Sequence, residues 1–211
     1  MSYLFFSRRT AAFLAKKSGL DLEKETILSY IIEVLVLNMA NLLLALLLGW
    51  FLGVLPGVTA CIIAAALFRH TAGGAHSSSP WRCGVVTIIA FPAMALLATH
   101  LSRLAPIYTD TFSLAAVFTS LVAVATLAPV DTAAAPIISP TRRKRLKVLS
   151  LLVFTLITTA IVFIRWAPWL QAVEIQLCLV LSLLWTSFNL SRPGHLFIAF
   201  VDHIKIPQGR R

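Results

Sequence analysis

Charged residues are scarce in this 211-residue chain, at 12% of the total, and acidic ones scarcer still, with 8 Asp and Glu against 18 Lys and Arg. Soluble domains carry about 25% charge, so this scarcity, with a mean hydropathy of +0.89, excludes an ordinary soluble domain. Cysteine is equally sparse: Cys61, Cys83 and Cys178 form no CxxC, and two of the three lie in apolar runs. That spacing excludes a disulfide framework and a zinc cluster, and no metal or cofactor is expected. Segments of roughly ten residues alternating in hydrophobicity are missing too, which excludes an outer-membrane barrel. No internal repeat or low-complexity tract is present.

What the chain does have is continuous runs of Leu, Ala, Val and Ile that recur along its whole length, unlike a signal peptide or a single anchor. No charged residue occurs from Val34 to Phe68, enough for two helices of roughly 20 residues with a turn around GWFLGVLPG. Further charge-poor intervals predict an all-α membrane protein in one integral membrane domain, 1–211, with six spans near 27–48, 51–68, 84–102, 111–130, 148–165 and 171–190. With the N-terminus inside, sixteen of the 18 Lys and Arg fall on the cytoplasmic side and only Arg103 and Arg165 outside. Basic residues beside spans fix orientation in this sense, so both termini are expected to be cytoplasmic. The net charge of +10 is therefore assigned to topology and to anionic lipid, not to nucleic acid. Residues 2–20 mix Phe and Leu with Arg8, Arg9, Lys16 and Lys17, which predicts an amphipathic helix on the inner leaflet. The last twenty or so residues read as an interfacial tail.

FRHTAGGAHSSSPWRC, residues 68–83, is a polar island in this apolar chain, and the topology puts it in the cytoplasmic loop between the second and third spans. His76 and Cys83 are a candidate base and nucleophile. On one straight helix, residues seven apart are separated by about 10 Å of rise, so pairing them requires the backbone to fold back. Gly73 and Gly74 permit positive φ; Ser79 suits an N-cap with Pro80 at the first helical position. Cys83 then falls in the first turn of the third span, where the helix dipole and a cation such as Arg82 or Arg69 favour a thiolate.

RHTAGGAHSSSPWRC resembles the signature of the accessory gene regulator B (AgrB) family of membrane cysteine endopeptidases of bacterial quorum sensing: Arg, then Gly-Gly-x-His, then Cys seven residues later. LAPVDTAAAPI, residues 127–137, is similar to that family's Ala-Pro-x-Asp-Thr stretch, and a basic run, RRKRLK, follows it. The resemblance implies that Cys83 is the nucleophile and His76 the base, with Arg69, Gly73 and Gly74 shaping the loop and Pro136 structuring the other cytoplasmic loop. It further implies cleavage of an AgrD-like ribosomal pro-peptide at the cytoplasmic membrane face, its cyclisation to a thiolactone or lactone, and a homodimeric enzyme. Some members carry basic residues between Thr and Pro, where this chain has Ala133, Ala134 and Ala135, so no substrate-contacting role passes to those three.

Asp131 is the candidate to orient His76, or else a partner of the nearby basic cluster. Arg142, Arg143, Lys144 and Arg145 either steer an acidic substrate tail or anchor the topology, and both roles are compatible. Glu33, Asn38 and Asn41, inside the first span, read as interhelical hydrogen-bonding groups. In the competing reading, a small transporter, they would line a pathway; a non-catalytic membrane scaffold is the other alternative.

Overall fold

Proline starts most of the helices. Pro56, Pro80, Pro106, Pro140 and Pro193 each occupy the first or second position of a helix, where the missing N–H would have had no intrahelical acceptor. The computed structural model describes residues 5–75, 77, 79–131 and 137–204, and every regular element among them is helical. In chain order these are α1 (Phe5–Ser18), α2 (Leu22–Phe51), α3 (Leu55–Thr71), α4 (Pro80–Leu101), α5 (Pro106–Leu127), α6 (Pro140–Arg165), α7 (Ala172–Leu190) and α8 (Arg192–His203).

Five helices, α2, α4, α5, α6 and α7, are long and apolar enough to cross a membrane. The expected span at 51–68 corresponds to α3, which is apolar but only 17 residues long. Its boundaries explain the difference. Gly53, at φ +70°, closes α2 with Val54 N–H donating to Gly49 O, so α3 starts only at Leu55. Gly73, also at positive φ, lies just beyond its C-terminal end.

α7 is the hub, packed against α3, α4, α5, α6 and α8. Two apolar clusters meet on it. Ala116, Val124, Phe154, Ile157 and Val180 join α5 and α6 to α7, and Val58, Phe91, Ala95 and Leu177 join α3 and α4 to it. Small polar groups cross the same interfaces, as where the Ser187 hydroxyl donates to Ser120 Oγ at 3.0 Å; such contacts between membrane helices contribute about 0.6 kcal/mol. The outward faces of α5 and α6 carry exposed Leu114, Phe118, Leu152, Leu156 and Phe163, an apolar surface suited to lipid.

The N-terminal segment is helical, as expected, but the face it buries is different. Ser7, Ala11 and Ala15, spaced four apart, are the buried residues of α1, which packs on α2, while Phe6 and Phe13 face outward beside the exposed basic residues. Small side chains let two helices approach closely. The C-terminal segment is no loose tail: α8 packs on α7, with Gly194 so close to Phe188 that an added Cβ would lie 2.1 Å from its carbonyl oxygen.

The C-terminal ends of α3, α5 and α7 and the N-terminal ends of α4 and α6 gather at one end of the bundle. At the other, Arg165 grips Asp110 bidentately, with Nε 2.6 Å from Oδ1 and an Nη 3.0 Å from Oδ2.

Candidate active site

The loop between α3 and α4 is pinned on two sides by backbone contacts that only glycine permits. On one side Val130 N–H donates to Ala72 O at 2.9 Å, and Gly73 pairs with Val130 in an isolated parallel bridge. Gly73 sits at φ +74°, and a Cβ there would lie 2.4 Å from the Val130 carbonyl oxygen. On the other side Ala75 N–H donates to Asn189 O at 2.8 Å, at the end of α7. Gly74, at φ +117°, would bring a Cβ within 3.2 Å of that oxygen. The two sequence motifs, far apart in the chain, are thus in direct backbone contact.

α4 begins where the Ser-Pro pair predicts it. Ser79 is the N-cap residue and Pro80 the first helical one, but the Ser79 hydroxyl makes no capping bond. Ser77 Oγ instead accepts from Ser79 N–H at 3.1 Å and donates to the Asp202 carboxylate of α8. Cys83 donates its amide to Ser79 O at 3.3 Å, and its thiol is free and half-buried.

Of the two candidate cations, Arg69 serves the sulfur. One Nη of Arg69 lies 4.0 Å from Cys83 Sγ while the other donates to Ala75 O at 3.1 Å, so a single guanidinium ties the thiol to the loop. Arg82 turns away and donates to the carbonyls of Val201, at 2.9 Å, and Ile204, at 2.8 Å, and also to that of Asp202. A cation at a helix C-terminus satisfies carbonyls that lack intrahelical donors, so Arg82 clamps α8 to α4. The sequence reading missed this clamp, since its partners lie about 120 residues away.

Cys83, Arg69 and Gly73 line a cavity of about 540 Å³ that also takes in Asn38, Asn41 and Asn189. Asn41 does not act as interhelical glue through its amide nitrogen, which is shielded from solvent and has no hydrogen-bond partner among the described residues. Gly84, directly after Cys83, leaves room for it: an added Cβ would lie 1.9 Å from that nitrogen.

Asp131 is engaged by the basic run. Its Oδ2 accepts from Arg143 at 2.6 Å and from Ile137 N–H at 3.4 Å. Arg142, Lys144 and Arg145 are exposed in the first turns of α6. Lys147, one turn on, donates to Val124 O and Ala128 O at 3.1 and 2.8 Å and so caps α5. His76 and Pro136, with Ala133, Ala134 and Ala135, lie outside the described residues.

These features define an all-helical, multi-pass membrane protein carrying a guanidinium-paired thiol at the head of one helix, beside a cavity at one end of the bundle. The chain belongs to the accessory gene regulator B (AgrB) family, whose model matches residues 7–190. Membership implies a part in the processing of autoinducer peptides in quorum sensing. No curated protein and no solved structure matches the chain. The match ends at the last residue of α7, so α8, with its Asp202 contact to the Cys83 loop, lies beyond it.

Proposed function

We propose that the protein is a membrane cysteine endopeptidase that removes the C-terminal tail of an AgrD-like pro-peptide and closes the remainder into a thiolactone or lactone. The observation that carries this reading is the Cys83 thiol, with the Arg69 guanidinium 4.0 Å from its sulfur, lining a cavity of about 540 Å³. The guanidinium directs an N–H at the sulfur, the atom that would attack, and so holds it in place within the cavity.

In the reaction, His76 takes the Cys83 proton and the sulfur attacks a backbone carbonyl of the pro-peptide. The C–N bond breaks, His76 returns the proton to the leaving amine, and the peptide remains on Cys83 as a thioester. A Cys or Ser of the same peptide then attacks the thioester carbonyl, closing the ring and releasing Cys83. Exchange between thioesters is nearly neutral, whereas making a thioester from an amide is uphill. Loss of the tail or removal of the product therefore pulls the sequence forward.

Gly73, Gly74, Ser79 and Pro80 shape the loop, and Pro136 the facing one. Since Asp131 is paired with Arg143, its part is to hold the second loop, and it is not assigned to orient His76. Arg142, Lys144 and Arg145 face solvent, where they meet anionic lipid headgroups and an acidic substrate tail. The whole chain, 1–211, forms one membrane domain; α3 completes six spans, α1 lies on the inner leaflet, both termini and the Cys83 loop are cytoplasmic, and the protein works as a homodimer. Co-expression with a candidate pro-peptide tests the activity: wild type releases the tail-cleaved product, and Cys83→Ala and His76→Ala do not. Normal processing by Cys83→Ala would end the reading.

A further inference from the structure

Asn41 carries a buried donor with no hydrogen-bond partner among the described residues, packed on Gly84, the residue that follows the nucleophile in the chain. An unpaired buried amide costs roughly 1–3 kcal/mol, so its place in the wall of the cavity that Cys83 also lines calls for a partner that arrives with the substrate. Of the other two asparagines lining the cavity, Asn38 is exposed, and Asn189 Nδ2 donates to Trp185 O at 2.8 Å. Thr87 likewise donates its hydroxyl to Cys83 O at 3.0 Å. Arg69 is occupied by Ala75 O and the sulfur itself. Asn41 reaches the cavity from α2, a different helix from Arg69, and its amide packs on Gly84, where any side chain would displace it.

We propose that Asn41 is an oxyanion-stabilising catalytic residue: its side-chain N–H donates to the carbonyl oxygen of the scissile peptide bond as Cys83 attacks. The assignment rests on the thiol-protease reading given above. A carbonyl oxygen gains negative charge when sulfur adds to its carbon, and a fixed donor binds that oxyanion more tightly than it binds the ground-state carbonyl. Loss of one such donor lowers the rate by about 10²–10³-fold.

Two small electrophiles separate this role from a structural one, using the full chain in detergent micelles with Cys83→Ala as background. With p-nitrophenyl acetate, the Cys83 thiolate adds to the ester carbonyl, p-nitrophenolate leaves, and the acetyl group stays on sulfur as a thioester. This step passes through an oxyanion. With iodoacetamide, sulfur displaces iodide at a methylene carbon, and no oxyanion forms. Asn41→Ala, and the larger apolar Asn41→Leu, are expected to slow acetylation of Cys83 by about 100-fold and leave its alkylation within a factor of about two. Gly84→Ala should give the same selective loss by displacing the amide. If both reactions slow together in the two Asn41 variants, Asn41 merely positions the thiol and the proposal fails. If neither slows, the proposal also fails. Neither failure touches the protease reading, which stands or falls separately on peptide processing by Cys83→Ala.

Discussion

Replacing Gly73 by Ala should detach the Cys83 loop from its neighbour, and the size of the effect follows from two features of the site. At φ +74° an L-residue pays roughly 1–2 kcal/mol for left-handed backbone. The new Cβ would also lie 2.4 Å from the Val130 carbonyl oxygen, where ordinary contact begins near 3.4 Å, so that carbonyl must retreat by about 1 Å. Retreat breaks the bond from Val130 N–H to Ala72 O, a further loss of about 0.5–1.5 kcal/mol. Together these favour the detached loop by about 1.5–3.5 kcal/mol, a change of about 10-fold to about 400-fold in the opening equilibrium. Native-state hydrogen exchange in micelles, followed on peptides spanning residues 128–131, reads that factor as lost protection of the Val130 amide. Gly53→Ala is the control: it has φ +70° but no atom within 4 Å of the added Cβ, and it sits at the α2–α3 turn. It should leave Val130 protection unchanged. Equal loss in the two variants, or full protection in Gly73→Ala, would refute the argument that close approach to Val130 requires glycine at 73.

Three further outcomes are expected. Arg69→Met removes the guanidinium 4.0 Å from the sulfur and should slow iodoacetamide alkylation of Cys83 at least several-fold, as measured by mass spectrometry. Arg69→Lys should recover only part of it, because one ammonium cannot hold both Ala75 O and the sulfur as the two guanidinium nitrogens do. Arg82→Ala removes the donors to the α8 carbonyls, so limited proteolysis should cut within 192–204 at least several-fold faster, while sites in α5 and α6 stay protected. Lys147→Met strips the cap from the α5 carbonyls and should cost about 1–2 kcal/mol in unfolding free energy, measured in mixed micelles, with no change in Cys83 alkylation.

Local pattern carried the expectations that held, and long-range contacts produced the rest. Charge-free runs located five membrane-length helices, because excluding charge from lipid is a constraint each segment obeys by itself. Ser79 and Pro80 marked the start of α4 for a similarly local reason. The partition of Arg69 and Arg82 was not legible, since each is decided by what lies opposite it: the sulfur for one, and a helix end about 120 residues away for the other. Asp202 went unnoticed in what read as a tail, although it holds Ser77. Asn41 looked like interhelical glue because nothing in a single helix reveals whether an amide finds its partner. The two glycines were read correctly as bends, but Val130 and Asn189, the groups that demand them, emerge only in three dimensions.

Cleavage by the proposed route requires Cys83 to become acylated by the peptide it cuts. A single-turnover reaction with a pro-peptide that the wild-type protein processes, quenched in acid and digested with trypsin, tests this on the fragment 83–103. This fragment should carry, through a hydroxylamine-labile thioester, the mass of the tryptic segment that ends at the new C-terminus of the tail-cleaved peptide. The adduct should be absent in Cys83→Ala and scarcely formed in His76→Ala. Processing that proceeds with fragment 83–103 never modified, or with the adduct on another residue, would contradict that route.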